Sequence, residues 1–370
     1  MATSARKVTE SKPLNRSFYA ARALKEDEFY TQLSDIEKEL KHYGPHLKGK
    51  KVYCNCDDPR ISNFFHYFSY NFKKLKLKKL IATCYKNQDR DLFSRNDAEH
   101  AIYLEYSGDR KQSPVPDPED IGIKHLKGDG DFRSDETIGL LKQTDIVVTN
   151  PPFSLFREYV AQLIKYDKKF VIVGNQNAIS YKEIFALIKA NKLWLGVNNG
   201  DMAFMVPDYY KPRDTRFWVD ERGQKWRSLG NAAWFTNLDL AKRHEDLILY
   251  KTYYPETYPT YDNYDAIEVS KITDIPADFD GVMGVPLTFL DKHNPDQFEI
   301  LGLSGTSYPT TKTYGKKERV VDGVRKKSNT GTLGCVIRTA SFGAGTYFDV
   351  GYPVKGIYRR LFIRRKAKTT

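Results

Sequence analysis

Apolar residues recur at two different spacings along the first half of this 370-residue chain, and their alternation predicts an α/β fold. Short apolar runs predict strands at residues 51–56, 79–84, 145–149, 170–174 and 193–197. Between them, Ile61, Phe64, Phe65, Phe68 and Phe72 fall at helical spacing, as do Leu155, Phe156, Tyr159, Val160, Leu163 and Ile164, so each set predicts a helix with one buried stripe. Ser180 stands three residues before Glu183 at the head of another apolar stripe, which predicts a capping box. Strands and helices alternating in this way build a mostly parallel, twisted sheet covered by helices.

The flanks read differently. Residues 1–24 are polar and basic with no sustained periodicity and predict a loose arm. A short acidic helix follows over residues 35–42, which Gly44-Pro45 is expected to stop. Beyond residue 198, strands are predicted at 203–206 and 232–238 around a polar loop, a hairpin that would end the sheet. Residues 253–265 are dense in Tyr, Pro, Asp and Asn and predict irregular structure at a boundary. The remainder is Gly-rich and basic, with a strand-like stretch at 357–363 set among arginines. These shifts divide the chain into an arm (1–24), a main α/β unit (25–250) and a smaller basic region (251–370).

Composition narrows the classes. With 40% hydrophobic residues, including 25 Tyr and 21 Phe, the chain has far more core-forming side chains than a disordered protein. Its net charge of +12 favours a polyanionic partner, nucleic acid first, although a solubilising surface would also account for it. Cys54, Cys56, Cys84 and Cys335 lack metal-ligand spacing and read as reduced core residues, so no metal is expected. No apolar run approaches the roughly 20 residues of a membrane span, and a cytosolic protein without membrane partners is expected.

The chemistry centres on Asn150-Pro151-Pro152-Phe153, which ends the predicted strand at 145–149. In open α/β sheets, ligands bind beyond the carboxyl ends of the strands. An amino group conjugated to a ring, such as adenine N6, is a poor nucleophile because its lone pair is delocalised. Two acceptors, the Asn150 side-chain oxygen and the Pro151 carbonyl, would each take one of its hydrogens and turn the lone pair toward a methyl donor. The prolines hold the carbonyl in place, and Phe153 offers a face to a base outside its duplex. A rigid Pro-Pro turn with Asn capping a helix is the alternative, and the position directly after a buried strand argues against it.

Two further loops are candidates for the donor. In Gly128-Asp129-Gly130-Asp131-Phe132, Asp131 is placed to accept from an adenine amino group with Phe132 against the ring; the alternative for Asp131 is an Asx-turn. After the first strand, Asn55, Asp57 and Asp58 are candidates for the ammonium or ribose end of S-adenosylmethionine (AdoMet), though no glycine-rich turn is present and Pro59 or Ser62 starting a helix explains the stretch equally well.

At these residues the chain resembles the EcoRI-type adenine-specific DNA methyltransferases. The resemblance runs through Asp27-Glu28-Phe29-Tyr30-Thr31-Gln32, the block at 52–60, residues 128–134 and 145–159, Tyr261-Asp262-Asn263-Tyr264-Asp265-Ala266-Ile267, and Asp280-Gly281-Val282-Met283-Gly284-Val285-Pro286. It covers roughly residues 25–302, with a weaker echo at 358–365. The resemblance implies a Rossmann-like class I methyltransferase fold at 25–250, AdoMet as donor without a metal, a flipped target adenine, and Tyr30 and Thr31 against the methionine part of the donor. It also implies a target-recognition region at 251–370, double-stranded DNA as partner of a monomer, a paired restriction endonuclease, and a prokaryotic or phage-infected host. Residues 302–358 are longer and more basic than the family pattern, so the base-reading residues are not carried over. The same loop chemistry serves RNA adenine and protein glutamine N-methyltransferases, the latter more often with Tyr where Phe153 stands. A DNA-binding relative without catalysis is the remaining class, and the intact motif speaks against it.

Overall fold

The computed structural model describes residues 29–85, 101–108, 116–208, 210–315, 317–327 and 333–367, and the expected arm at 1–24 lies outside them. The chain enters through β1 (Tyr30–Thr31) and α1 (Leu33–Leu40), then β2 (Lys51–Cys54), α2 (Asn63–Tyr70), β3 (Lys79–Thr83), β4 (Ile102–Tyr106) and β5 (Lys124–His125). It continues through α3 (Asp135–Lys142), β6 (Ile146–Thr149), α4 (Phe156–Lys165), β7 (Lys169–Asn175), α5 (Lys182–Lys189), β8 (Trp194–Leu195), β9 (Gly200–Met205), β10 (Phe217–Val219) and β11 (Lys225–Thr236).

These strands form one sheet in the order β1-β9-β11-β7-β6-β2-β3-β4-β5, with β8 and β10 pairing to β11. Only β3, β2, β6 and β7 run parallel to their neighbours; β4 and β5 on one side and β11, β9 and β1 on the other are antiparallel. The expected mostly parallel sheet is thus a parallel centre between antiparallel flanks. The reason is burial: β6 is buried at all four positions, as a strand covered on both faces must be, whereas β4 alternates buried Ile102, Leu104 and Tyr106 with half-buried Tyr103 and Glu105.

Alternate side chains of the central strands enter opposite cores. Val52, Ile146, Val148, Val171 and Val173 pack with α1 and α2, whereas Tyr53, Val147, Phe170 and Ile172 pack with α3, α4 and α5. The second core does not end there. It takes in Ile267, Met283, Val285, Phe298, Ile300, Leu361 and Ile363 from a four-stranded sheet of β12 (Ile267–Glu268), β13 (Met283–Pro286), β14 (Phe298–Leu303) and the last strand, Arg360–Arg365. Between β14 and that last strand, β15 (Glu318–Val321), β16 (Val324–Lys327), β17 (Cys335–Arg338), β18 (Thr346–Asp349) and β19 (Pro353–Ile357) form a separate five-stranded sheet, and Arg360–Arg365 is β20.

A buried ion pair braces this region. Arg360 forks onto Glu268 (2.6 and 3.0 Å), and the Tyr261 and Ser270 hydroxyls also donate to Glu268. Asn263 then fastens the five-stranded sheet, donating to the Gly334 carbonyl (2.8 Å) and accepting from the Val336 amide (3.1 Å).

Three local expectations change. Gly44-Pro45 does not stop the helical course: a 3-10 turn (Lys41–Tyr43) leads into another turn, Gly44–Leu47, because proline near a helix start forfeits no internal hydrogen bond. Ser180 does not cap α5. Its hydroxyl donates to the Asn177 carbonyl (2.7 Å) inside a 3-10 turn, and Tyr181 takes the cap position. The strand-like stretch at 357–363 divides, β19 ending at Ile357 and β20 beginning at Arg360, since the two belong to different sheets. Among the described residues, no helix is long and apolar enough to cross a membrane, and no group of three or more His, Cys, Asp or Glu side chains is placed to hold a metal ion.

Candidate active site at the carboxyl edge of the sheet

Strand β6 delivers Asn150-Pro151-Pro152-Phe153 to the edge where the parallel strands end, and a 3-10 turn (Phe153–Leu155) then leads into α4. Asn150 is 6% exposed. Its Nδ2 donates to the backbone carbonyl of Phe29 at 2.5 Å. Because a carbonyl can only accept, this contact fixes which end of the amide faces Phe29, and Oδ1 is left buried without a partner. A buried acceptor left unmade costs about 1–3 kcal/mol, so a fold keeps one where something else is to fill it.

Phe29 holds the loop on its apolar side as well. Its ring lies 5.3 Å from that of Phe153, 5.5 Å from Phe204 and 6.2 Å from Tyr210. Strand β1 keeps it there by pairing Tyr30 with Met205 and Thr31 with Phe204. The structure therefore brings Tyr30 and Thr31 beside the Asn150 loop. Thr31 is 2% exposed, its carbonyl accepts from Asn63 Nδ2 (2.8 Å), and its Oγ1 is a second buried oxygen without a partner.

The loop after β2 lies on the neighbouring strand. Asn55 Oδ1 accepts from the buried Tyr159 hydroxyl of α4. Asp58 is fully buried, and the Arg60 guanidinium covers both of its oxygens (Nη2 at 2.5 Å), while the Arg60 amide also donates to it (2.9 Å). That closed turn leads to Ser62, whose hydroxyl caps α2 by accepting from the Phe65 amide. Asp57 is half-buried, 3.4 Å from the Ser62 hydroxyl. Burial pushes the Cys56 thiol up to about 12, which favours its protonated form at neutral pH.

The third loop, residues 128–132, leans on the end of β3. Gly130 has φ +78°, and a Cβ there would lie 2.4 Å from the Cys84 carbonyl oxygen, so only glycine fits. Asp131 Oδ1 accepts from the Arg133 amide (2.8 Å), which is the Asx-turn, and the Arg133 guanidinium also sits on this carboxylate (2.6 Å). Phe132 is buried with its ring edge-on to Tyr159 at 5.1 Å. Tyr159 thus joins Asn55 to Phe132. Sequence periodicity marks Tyr159 only as part of a core stripe and gives no hint of Phe29, because both roles depend on contacts far apart in sequence.

The chain matches the family model described as "Adenine-specific methyltransferase EcoRI" over residues 17–340. It is 54% identical over 291 residues to the Type II methyltransferase M.EcoRI of Escherichia coli, covering 78% of this chain and 89% of the relative. Identity is 40% over 305 residues to the Type II methyltransferase M.MgeORF184P of Mycoplasma genitalium, and 39% over 302 residues to M.MpnI of Mycoplasma pneumoniae; each match covers 80% of this chain, with 89% and 88% of the respective relatives. No solved structure matches.

Proposed function

The chain belongs to the EcoRI family of adenine-specific methyltransferases, and from that premise we propose that it methylates adenine N6 at specific sites in duplex DNA. The observation that carries the mechanism is the orphaned Asn150 Oδ1, held inward by the bond from Nδ2 to Phe29. In this reading Oδ1 accepts one N6 hydrogen and the Pro151 carbonyl the other, while the Pro152 carbonyl is already taken by the Leu155 amide (3.0 Å). Both acceptors draw the nitrogen toward tetrahedral geometry, and the lone pair turns to the donor. A methyl supplied by a bound donor would leave that nitrogen with one proton too many, and this proton would pass to solvent water, since neither the Asn150 nor the Pro151 carbonyl oxygen is a base. Acceptors fixed before the substrate arrives need no reorganisation during the reaction. The Phe153 ring, itself braced by Phe29, serves the flipped base as a stacking face.

AdoMet supplies an electrophilic methyl group on a sulfonium when bound. The residues at this edge fit it: the buried Thr31 oxygen without a partner, the Asp57 and Asp131 carboxylates, and the Phe132 ring. Tyr30 and Thr31 would lie along its methionine part, Asn55 and Asp57 at its ammonium or ribose end, and Asp131 and Phe132 at its adenine. Asp131 keeps acceptor capacity beyond its bonds to Arg133, since a carboxylate offers about four lone-pair sites. Asp58, covered by Arg60, would act by shaping the turn that presents Asp57.

In this reading the parallel centre followed by antiparallel β11 is the Rossmann-like class I methyltransferase sheet, and the region from 251 onward, with its four- and five-stranded sheets, serves target recognition. The test offers methyl-labelled AdoMet with duplex DNA, RNA or protein. Label on adenine N6 of duplex DNA is expected; label confined to RNA or protein would refute the reading.

A further inference from the structure

Residues 1–301 contain forty-four Lys and Arg against forty-four Asp and Glu, whereas residues 302–370 contain fifteen against three. The whole net charge of +12 therefore sits in roughly the last fifth of the chain. The three acidic residues of that stretch are Glu318, Asp322 and Asp349, and all three are engaged at one β-ribbon. Arg325 donates to Glu318 (2.8 Å) and to Asp349 (2.6 Å), and Asp322 accepts from the Gly345 amide (2.8 Å).

The ribbon is β15 and β16, joined by Asp322-Gly323 with φ of +47° and +82°, the geometry of a tight two-residue hairpin turn. It forms the edge of the five-stranded sheet, since among the described residues β16 pairs with β15 alone. Cross-strand pairing sets its two faces. Glu318, Val320 and Arg325 share the face on which charge is compensated. The other carries Arg319 directly opposite Lys326, both exposed, and Val321 opposite Val324, which is 59% exposed. Arg319 meets Phe348 on its other side, so no carboxylate stands among the directly paired neighbours of that face. Like charges directly across a ribbon destabilise it. Here two cations oppose each other on an exposed edge while Glu318 and Asp349 are spent on the reverse face and Asp322 in the turn.

The geometry points to an anionic occupant with room for a two-stranded ribbon, which is the major groove of duplex DNA, about 12 Å wide. This ribbon enters that groove with Arg319 and Lys326 on base edges, Arg319 able to fork onto guanine O6 and N7, and Val324 near a thymine methyl. The inference rests on the reading of the chain as a DNA methyltransferase and assigns it a base-reading element.

The test maps adenine methylation by long-read sequencing in cells expressing wild type, Arg319→Lys, or Arg319→Ala with Lys326→Ala, with AdoMet binding and melting temperature measured on each purified protein. Arg319→Lys keeps the charge and removes the fork, so discrimination at one or more positions of the wild-type motif should fall by about tenfold or more. The double variant should lose the same discrimination or all methylation, while AdoMet affinity stays within twofold and the melting temperature does not drop. An unchanged motif in Arg319→Lys, at full or reduced extent, overturns base reading, the reduced case marking a phosphate contact instead. Wild type that leaves no methylated adenine in DNA would sink the enzymatic reading itself.

Discussion

The carboxyl edge of the large sheet and the five-stranded sheet near the C-terminus manage their polar groups in opposite ways. At the first, Asn150 and Thr31 keep oxygens buried and unmatched inside a segment of the chain that carries no net charge up to residue 301. At the second, the carboxylates are matched and the surplus is exposed cation, Arg319 against Lys326. An orphaned acceptor selects a small, well-placed donor group and is effective because water is excluded. A surplus of exposed charge attracts a large polyanion from a distance and weakens with salt. The contrast fits the proposed activity, in which a long polymer is found first and a single amino group is gripped afterwards.

The largest effect should come inside the four-stranded sheet, where Glu268 and Arg360 pair. Glu268→Ala strips Arg360 of its buried carboxylate and leaves the Tyr261 and Ser270 hydroxyls short of an acceptor, a change expected to cost about 3–5 kcal/mol. Urea unfolding checks it; a loss under 1 kcal/mol would mean that the brace is dispensable. Asn150→Ala should reverse that pattern. Turnover falls by about 10²–10³, comparable to the loss of one preorganised transition-state partner, while AdoMet affinity holds nearly constant and stability falls by only about 1–3 kcal/mol, because the orphaned oxygen departs with the side chain but the Phe29 carbonyl loses its donor. Equal losses in single-turnover rate and AdoMet binding would make Asn150 structural and dissolve the contrast.

A smaller effect lies at the seam. His293, in the segment between β13 and β14, stacks on Trp194 of β8 at 5.6 Å, and burial lowers its folded pKa to about 4 from 6.5. Above pH 6.5 it is neutral in both states and its packing is fully present. As pH falls from 6.5 toward 4 the unfolded chain takes up the proton first, so up to about 3 kcal/mol is lost across that window. His293→Gln should therefore narrow its stability gap to wild type as pH drops. A gap independent of pH would show that His293 titrates alike folded and unfolded.

How much of this was legible in the sequence depends on distance along the chain. The central strands and the stripes of α2 and α4 could be read because their periodicity is local, and so could the position of Asn150 at the end of a buried strand. The antiparallel flanks could not: β4 pairs with β3 across an intervening segment, and β11 lies between β7 and β9 by long-range register. The same holds for the site. Asn, Pro, Pro and Phe are visible as chemistry, but the orientation of the Asn150 amide is set by a carbonyl 121 residues earlier. Ser180 and Gly44-Pro45 failed for the opposite reason, since each has more than one local solution and neighbouring turns chose between them.

Strand β1 contributes two rungs to the sheet, and the carbonyl that orients Asn150 belongs to the residue just before them. So short a ladder at a sheet edge is held chiefly by the packing of Phe29 and Thr31, and local opening there costs less than global unfolding. Whenever it opens, the amide loses its anchor and is free to rotate. Under the role proposed for Asn150, the rate constant becomes an intrinsic rate multiplied by the closed fraction, and hydrogen exchange at the amides of Tyr30 and Thr31 is the quantity that would report that fraction.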